Sequence, residues 1–380
     1  MNSTTIKGID ATSYVSPHND TAQWSTIDNP FVTINDEPEP LDTSNILLIV
    51  LFTTNMLVGI CGNSLVVFVC GYKLRDKDYK IIKIILILGI FDLVSSFFNP
   101  ALFVYLIYTR YTTWHFGTLG CKFLKSLGPI ATTASCGMVL FMSIDRYRAI
   151  VTPTKIQFQT NFVYKTTLFI IFMAFLTHLP YIAFLDTNAS GAKCQIYDQD
   201  EIFYKIDVSI VLFWDALVLV IFIVSGISIR RALIGTTQNF NRSLTGTQLR
   251  NFKRRDKRIN RLVFAVSVVF VVCIFPRDFL HIYFKLKTIS KQEYTVTKLL
   301  LDVNALLKLL STLNSTLNVF LYAKFNHWFQ KELLEILVGK TCFGRFQRSK
   351  DLLAVYNHRC SERRPSRAML IQQNTFDSSM

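Results

Sequence analysis

The sequence predicts an all-α membrane protein: a seven-transmembrane helix bundle followed by a short amphipathic eighth helix. Three observations predict it. Charged residues make up only 18% of the 380-residue chain and apolar residues 51%, whereas a soluble protein carries about a quarter charged residues. The shortfall is gathered into seven long apolar stretches instead of being spread evenly. The basic residues, which give a net charge of +15, sit in alternate connections between those stretches.

The seven stretches are about Ser44–Tyr72, Ile84–Tyr108, Phe123–Ile144, Thr166–Leu185, Val208–Ile229, Leu262–Phe284 and Leu299–Ala323. Each is long enough to cross roughly 30 Å of hydrocarbon as a helix. The organisation read from them is a disordered polar arm over 1–43, the bundle over 44–323, an amphipathic helix over 324–338 and a polar, basic tail over 339–380.

Charge sets the expected orientation. The first connection holds Lys73, Arg75, Lys77, Lys80 and Lys83, and the connection between the fifth and sixth stretches holds a longer basic run from Arg230 to Arg261. The N-terminal arm is acidic, with Asp10, Asp20, Asp28, Asp36, Glu37, Glu39 and Asp42 against Lys7. The positive-inside rule places the arm outside the cell and the C-terminus in the cytoplasm of a multi-pass plasma-membrane protein. The same distribution argues against nucleic acid: the charge is topological and faces anionic lipid or an acidic partner. The opening residues are polar, so the first span is expected to serve as an uncleaved anchor. Asn2, Asn19 and Asn188 head glycosylation sequons on the expected outer side; Asn241 heads a fourth on the inner side, where glycosylation does not occur.

Of the eight cysteines, Cys61, Cys136 and Cys273 fall within spans, Cys70 near an inner end, and Cys342 and Cys360 in the tail. Cys121 and Cys194 face the oxidising side and are natural disulfide partners. Cys342, just past the amphipathic helix, is a candidate palmitoylation site.

Along the chain, Asp92 stands in the middle of the second stretch, where a carboxylate is costly and marks function. Its bland reading is a hydrogen-bonding hub satisfied by Asn63 of the first stretch. Pro100 is expected to bend the second helix near its outer end. Trp114, His115, Phe116 and Gly117 form an aromatic cluster before Cys121, expected to brace the loop. Ser135 lies halfway down the third stretch, which ends on Asp145, Arg146 and Tyr147. His178 and Pro180 lie in the fourth, Trp214 and Asp215 in the fifth. The sixth has Phe270, Cys273, Ile274, Phe275 and Pro276, then Arg277, Asp278 and His281. The seventh has Asp302, Asn304, Lys308, Asn314, Ser315, Asn318 and Tyr322.

This ordered set resembles the rhodopsin-like (class A) G-protein-coupled receptors, in a divergent, peptide-receptor-like form. Gly62-Asn63, Asp92, the Trp114–Gly117 cluster with Cys121, the triplet Asp145-Arg146-Tyr147 with Pro153 beyond it, Phe270–Cys273–Pro276, and Asn314-Ser315, Asn318 and Tyr322, then Phe329, match the family motifs in order. Arg146 lies 25 residues beyond Cys121, as the family spacing requires. Four departures stand out. Val319 replaces the seventh-helix proline, Ile274 replaces the sixth-helix tryptophan, and the fourth-helix tryptophan and fifth-helix proline are missing.

The resemblance implies a receptor, not an enzyme. A ligand shifts a two-state bundle from outside, and a heterotrimeric G protein, with arrestin as a further partner, reads it inside. Asp145, Arg146, Tyr147, Phe270, Pro276, Asn318 and Tyr322 are the implied switch. Asn63, Asp92, Ser135, Asn314, Ser315 and Asn318 are the implied polar network, suited to an allosteric sodium ion or to water; no other cofactor is expected. The pocket reading takes Lys125, Gly128, Arg277, Asp278, His281, Asn304 and Lys308. Gly128 stands where amine receptors carry an acid, and Thr312 where opsins carry lysine, so the mixed charges point to a peptide or another polar ligand. The rival readings are a non-coupling decoy or scavenger receptor and a seven-helix transporter; no internal repeat of the kind transporters carry is seen.

Overall fold

A computed structural model describes residues 42–74, 80–110, 112–152, 158–187, 193–196, 201–239, 246–290, 298–325 and 327–338. Eight helices and one hairpin follow in chain order: α1 (Thr43–Leu74), α2 (Lys80–Tyr108), α3 (Gly117–Val151), α4 (Thr160–Phe184), β1 (Leu185–Thr187), β2 (Cys194–Ile196), α5 (Glu201–Asn239), α6 (Gly246–Ile289), α7 (Lys298–Phe325) and α8 (His327–Val338). Asn2, Asn19, Asn188 and Cys342 lie outside the described residues.

The helices overrun the apolar stretches because a helix need not stop where hydrocarbon ends; its charged turns continue into water. Lys80 and Lys83, expected in the first connection, therefore belong to the first turn of α2. α1 begins where Asp42 accepts from Thr43 N (2.7 Å) and Ser44 Oγ (2.9 Å), capping donors that have no partner inside the helix. Pro100, Pro129, Pro180 and Pro276 all sit inside helices, which run on through them.

Six helices, α1 to α6, are long and apolar enough to cross a membrane by length and composition. α7 falls short by that measure because Asp302, Asn304, Lys308, Asn314, Ser315 and Asn318 interrupt its apolar residues. Packing shows what those polar groups do. α7 lies against α1, α2 and α6 and closes the ring α1–α2–α3–α4–α5–α6–α7. Asn55 of α1 donates to Thr312 Oγ1 (2.9 Å), and Thr316 Oγ1 donates back to Asn55 Oδ1 (2.7 Å), all three buried. In lipid such groups need partners from another helix. Gly62 of α1 leaves room for Val319: a methyl there would meet its branches at 3.0 Å. The residue that replaces the family's proline thus packs straight onto α1.

α3 is the most buried of the spans and contacts α2, α4, α5, α6 and the hairpin. The outer surface is apolar instead: Phe68, Phe169, Phe213, Phe264 and Phe279 are exposed, Phe213 at 69%. In water such a surface would be a liability; facing lipid it costs nothing. α8 is a two-faced helix whose polar side holds a Lys331–Glu335 pair at 3.6 Å. It starts at His327, not Lys324, because Lys324 and Phe325 complete α7.

Candidate functional site

At the Cys121 end of the bundle, a disulfide joins Cys121 of α3 to Cys194 of β2, and β1 and β2 pair antiparallel with Asp186 opposite Gln195. Trp114 is 5% exposed and packs with Cys121, Leu185, Tyr105 and Tyr181. Its Nε1 donates to Gly117 O (2.9 Å), and its ring meets Tyr105 edge to face at 5.5 Å. The aromatic cluster therefore braces the entry to α3. Lys125, read as a pocket residue, donates to Cys194 O (2.8 Å) and so supports the hairpin.

Below it, α5 and α6 bring charged groups together. Arg277 pairs with Asp278 (3.3 Å), and His281 Nε2 lies 2.8 Å from Asp207 Oδ2 of α5. Asp207 was not singled out by sequence; it lies at the edge of its apolar stretch and looks like a boundary charge. Lys308 of α7 lies over the Phe103 ring at 5.6 Å, and Asn304 lies one turn away on the same helix. Gly128 is not an open floor. Asn99 of α2 occupies the space above it, held by bonds from Nδ2 to Ser95 Oγ (2.9 Å) and Thr132 Oγ1 (3.0 Å).

Halfway down, Asp92 is fully buried. Ser135 Oγ donates to its Oδ1 (2.6 Å) and Asn318 Nδ2 to its Oδ2 (2.9 Å). Asn63, the expected partner, does not reach it: Asn63 Nδ2 turns to Gly59 O, Ser96 Oγ and Ser315 O. It thus ties α1 to α2 and α7, while Asp92 ties α2 to α3 and α7. The side-chain carbonyl oxygens of Asn63, Asn314 and Asn318 are buried with no hydrogen-bond partner, as is the Tyr322 hydroxyl. A buried carboxylate with acceptor oxygens left unpaired nearby fits a small hard cation or water.

At the level of this network and one turn toward the Arg146 end, Phe270 and Ile274 of α6 pack on Cys136 and Leu140 of α3 and Val218 of α5. Trp214 of α5 lies against the same cluster. An indole is therefore present at the cluster that holds Ile274, but it comes from α5, one helix away from the family's position. Pro276 and Cys273 lie in α6 on either side of this contact.

At the Arg146 end, Asp145 is fully buried and its two oxygens are divided. Arg146 donates to Oδ2 through Nη2 (2.6 Å) and Nε (3.2 Å), and Lys80 Nζ of α2 lies 2.5 Å from Oδ1. Lys80 also donates to Phe158 O (3.4 Å). Phe158 stacks on Phe162 (4.6 Å) beneath the Arg148 guanidinium (4.3 Å). Tyr147 is half-buried beside the pair.

A family model described as 7 transmembrane receptor (rhodopsin family) matches residues 62–322, well over half of the chain and every region of the site described above. The chain belongs to the rhodopsin family of seven-transmembrane receptors. The receptor is 25% identical over 301 residues to a type-1 angiotensin II receptor B of Xenopus laevis, covering 76% of this chain and 78% of that one. It is 26% identical over 303 residues to the human melanin-concentrating hormone receptor 1, covering 76% and 80%. It is 25% identical over 272 residues to the human somatostatin receptor type 3, covering 68% and 62%. The family is one of membrane receptors, not enzymes, and the transporter reading is not favoured.

Proposed function

We propose that this receptor binds an extracellular peptide or other polar ligand in the cup beneath the disulfide and activates a heterotrimeric G protein at the Arg146 end. The observation that carries this reading is the closed Asp145–Arg146 pair at one end of a bundle whose other end gathers Arg277, Asp278, His281 and Asp207. A ligand with charges of its own that exchanges bonds with the His281–Asp207 pair acts on α5 and α6 together, and α6 carries Phe270 into the buried contact with α3. A ligand drives such a shift by binding one arrangement better than the other. The similarity to receptors named for angiotensin II, melanin-concentrating hormone and somatostatin supports the peptide class.

In this reading the acidic arm before α1 is extracellular and the basic tail after α8 is cytoplasmic, where arrestin and anionic lipid are its further partners. Asp92, Ser135, Asn314, Ser315 and Asn318 would hold a sodium ion, which supplies positive charge to the buried carboxylate. Ser135 and Asn318 orient that carboxylate between α3 and α7. Sodium, compared with a bulky organic cation, is expected to raise the melting temperature of wild type and leave Asp92→Asn unchanged; an equal response from both proteins removes the sodium site.

Coupling is tested in cells by expressing wild type and Arg146→Ala at matched surface levels against a panel of G proteins, first without ligand and then with peptide libraries. Signalling that needs Arg146 is the expected result. Signalling of equal size in both proteins refutes coupling through this pair. Peptide binding with no signal from either protein is the behaviour of a scavenger.

A further inference from the structure

We propose that Lys80 is the second cation of the Asp145 latch, and that it eases the release of Arg146 instead of opposing it. The inference rests on the coupling reading above. Asp145 is 0% exposed, and each of its oxygens faces a different cation from a different helix: Oδ2 faces Arg146 of α3, Oδ1 faces Lys80 of α2. Were Arg146 the sole counter-charge, swinging it away would strand a buried carboxylate, which is strongly disfavoured. With Lys80 in place, the carboxylate keeps one cation throughout.

The geometry keeps Lys80 where it is. Its ammonium is held by the Phe158 carbonyl as well as by Asp145. Phe158 is fixed in turn by its stack on Phe162, its contact with Phe141 and the Arg148 guanidinium above it. These anchors belong to α3, to α4 and to the residues just before it, none of which is the helix expected to swing. Lys80 is 20% exposed and Arg146 is 11% exposed, so both heads touch the surface where a partner docks. A plain tie between α2 and α3 would use the same contacts, but its loss would loosen the Asp145 end of the bundle and raise the basal signals instead of lowering them. That difference makes the proposal testable.

The experiment takes full-length receptor in lipid nanodiscs without ligand. One readout is nucleotide exchange on an added purified G protein. The other is an environment-sensitive fluorophore on Arg258→Cys at the exposed inner turn of α6, with Cys61, Cys342 and Cys360 replaced by serine. Lys80→Met is expected to lower both basal exchange and the displaced-α6 signal about fivefold or more, the lower end of typical allosteric coupling. In the Asp145→Asn background the same substitution is expected to change neither, because no carboxylate is left to strand. Lys80→Arg, which retains a cation, is expected to recover most of the loss. The proposal is overturned if Lys80→Met leaves the signals unchanged or raises them, or if it lowers them equally in both backgrounds. If the α6 signal behaves as expected while no variant promotes exchange, the latch stands and the coupling reading falls.

Discussion

Gly128→Ala is a one-carbon test of how α2 meets α3. A methyl at this position would collide with Asn99 Oδ1 and lie 2.6 Å from its Cγ and 3.1 Å from its backbone nitrogen. The Asn99 side chain cannot turn aside freely, since its Nδ2 bridges Ser95 and Thr132, and Thr132 Oγ1 in turn donates to Gly128 O at 3.0 Å. Either the helices part, an overpacking cost of about 1–3 kcal/mol, or Asn99 forfeits two hydrogen bonds at about 1 kcal/mol each. Both routes arrive near about 2 kcal/mol. The intrinsic preference of a helix for alanine over glycine returns about 1 kcal/mol, so the net loss is about 1 kcal/mol. At roughly 2–4 °C per kcal/mol, the melting temperature falls by about 2–4 °C. A thiol-reactive dye reads this in detergent through the buried Cys70, Cys136 and Cys273. Asn99→Ala should remove the obstacle, so adding Gly128→Ala to it should cost almost nothing. Melting of the single variant at or above the wild-type temperature, or full additivity in the double variant, refutes the packing account.

Two further outcomes follow from the same contacts. Cys121→Ser releases the hairpin from α3 and removes a cross-link between residues 73 apart, costing about 2–4 kcal/mol; surface staining should drop sharply, and unchanged staining together with insensitivity to reductant contradicts the tie. Ile274→Trp places the family's indole into a cluster that already holds Trp214, and overpacking of about 1–3 kcal/mol should lower the melting temperature, an effect that Trp214→Ala reverses in the double variant.

Much of this receptor was written in the order of its residues. Seven apolar stretches, the alternation of basic connections, two cysteines on one side and the triplet at Asp145 are all local properties, because hydrophobic length and charge placement act before any helix chooses a neighbour. α7 reads as a seventh apolar stretch, although its polar residues leave it short of the other six by length and composition. Which side chains meet was decided by the rotation and depth of each helix, which no single stretch contains. Asp92 found Ser135 and Asn318 while Asn63 turned elsewhere. His281 found Asp207, Trp214 came to pack on the cluster that holds Ile274, and Asn99 filled the space that Gly128 leaves. Lys80 read as one basic residue among five in a connection, yet the packing of α2 on α3 brought it onto Asp145. Partition into lipid is additive along the chain and can be read from it; a buried hydrogen bond or ion pair needs two groups from distant positions at one point in space, and only the folded bundle supplies that.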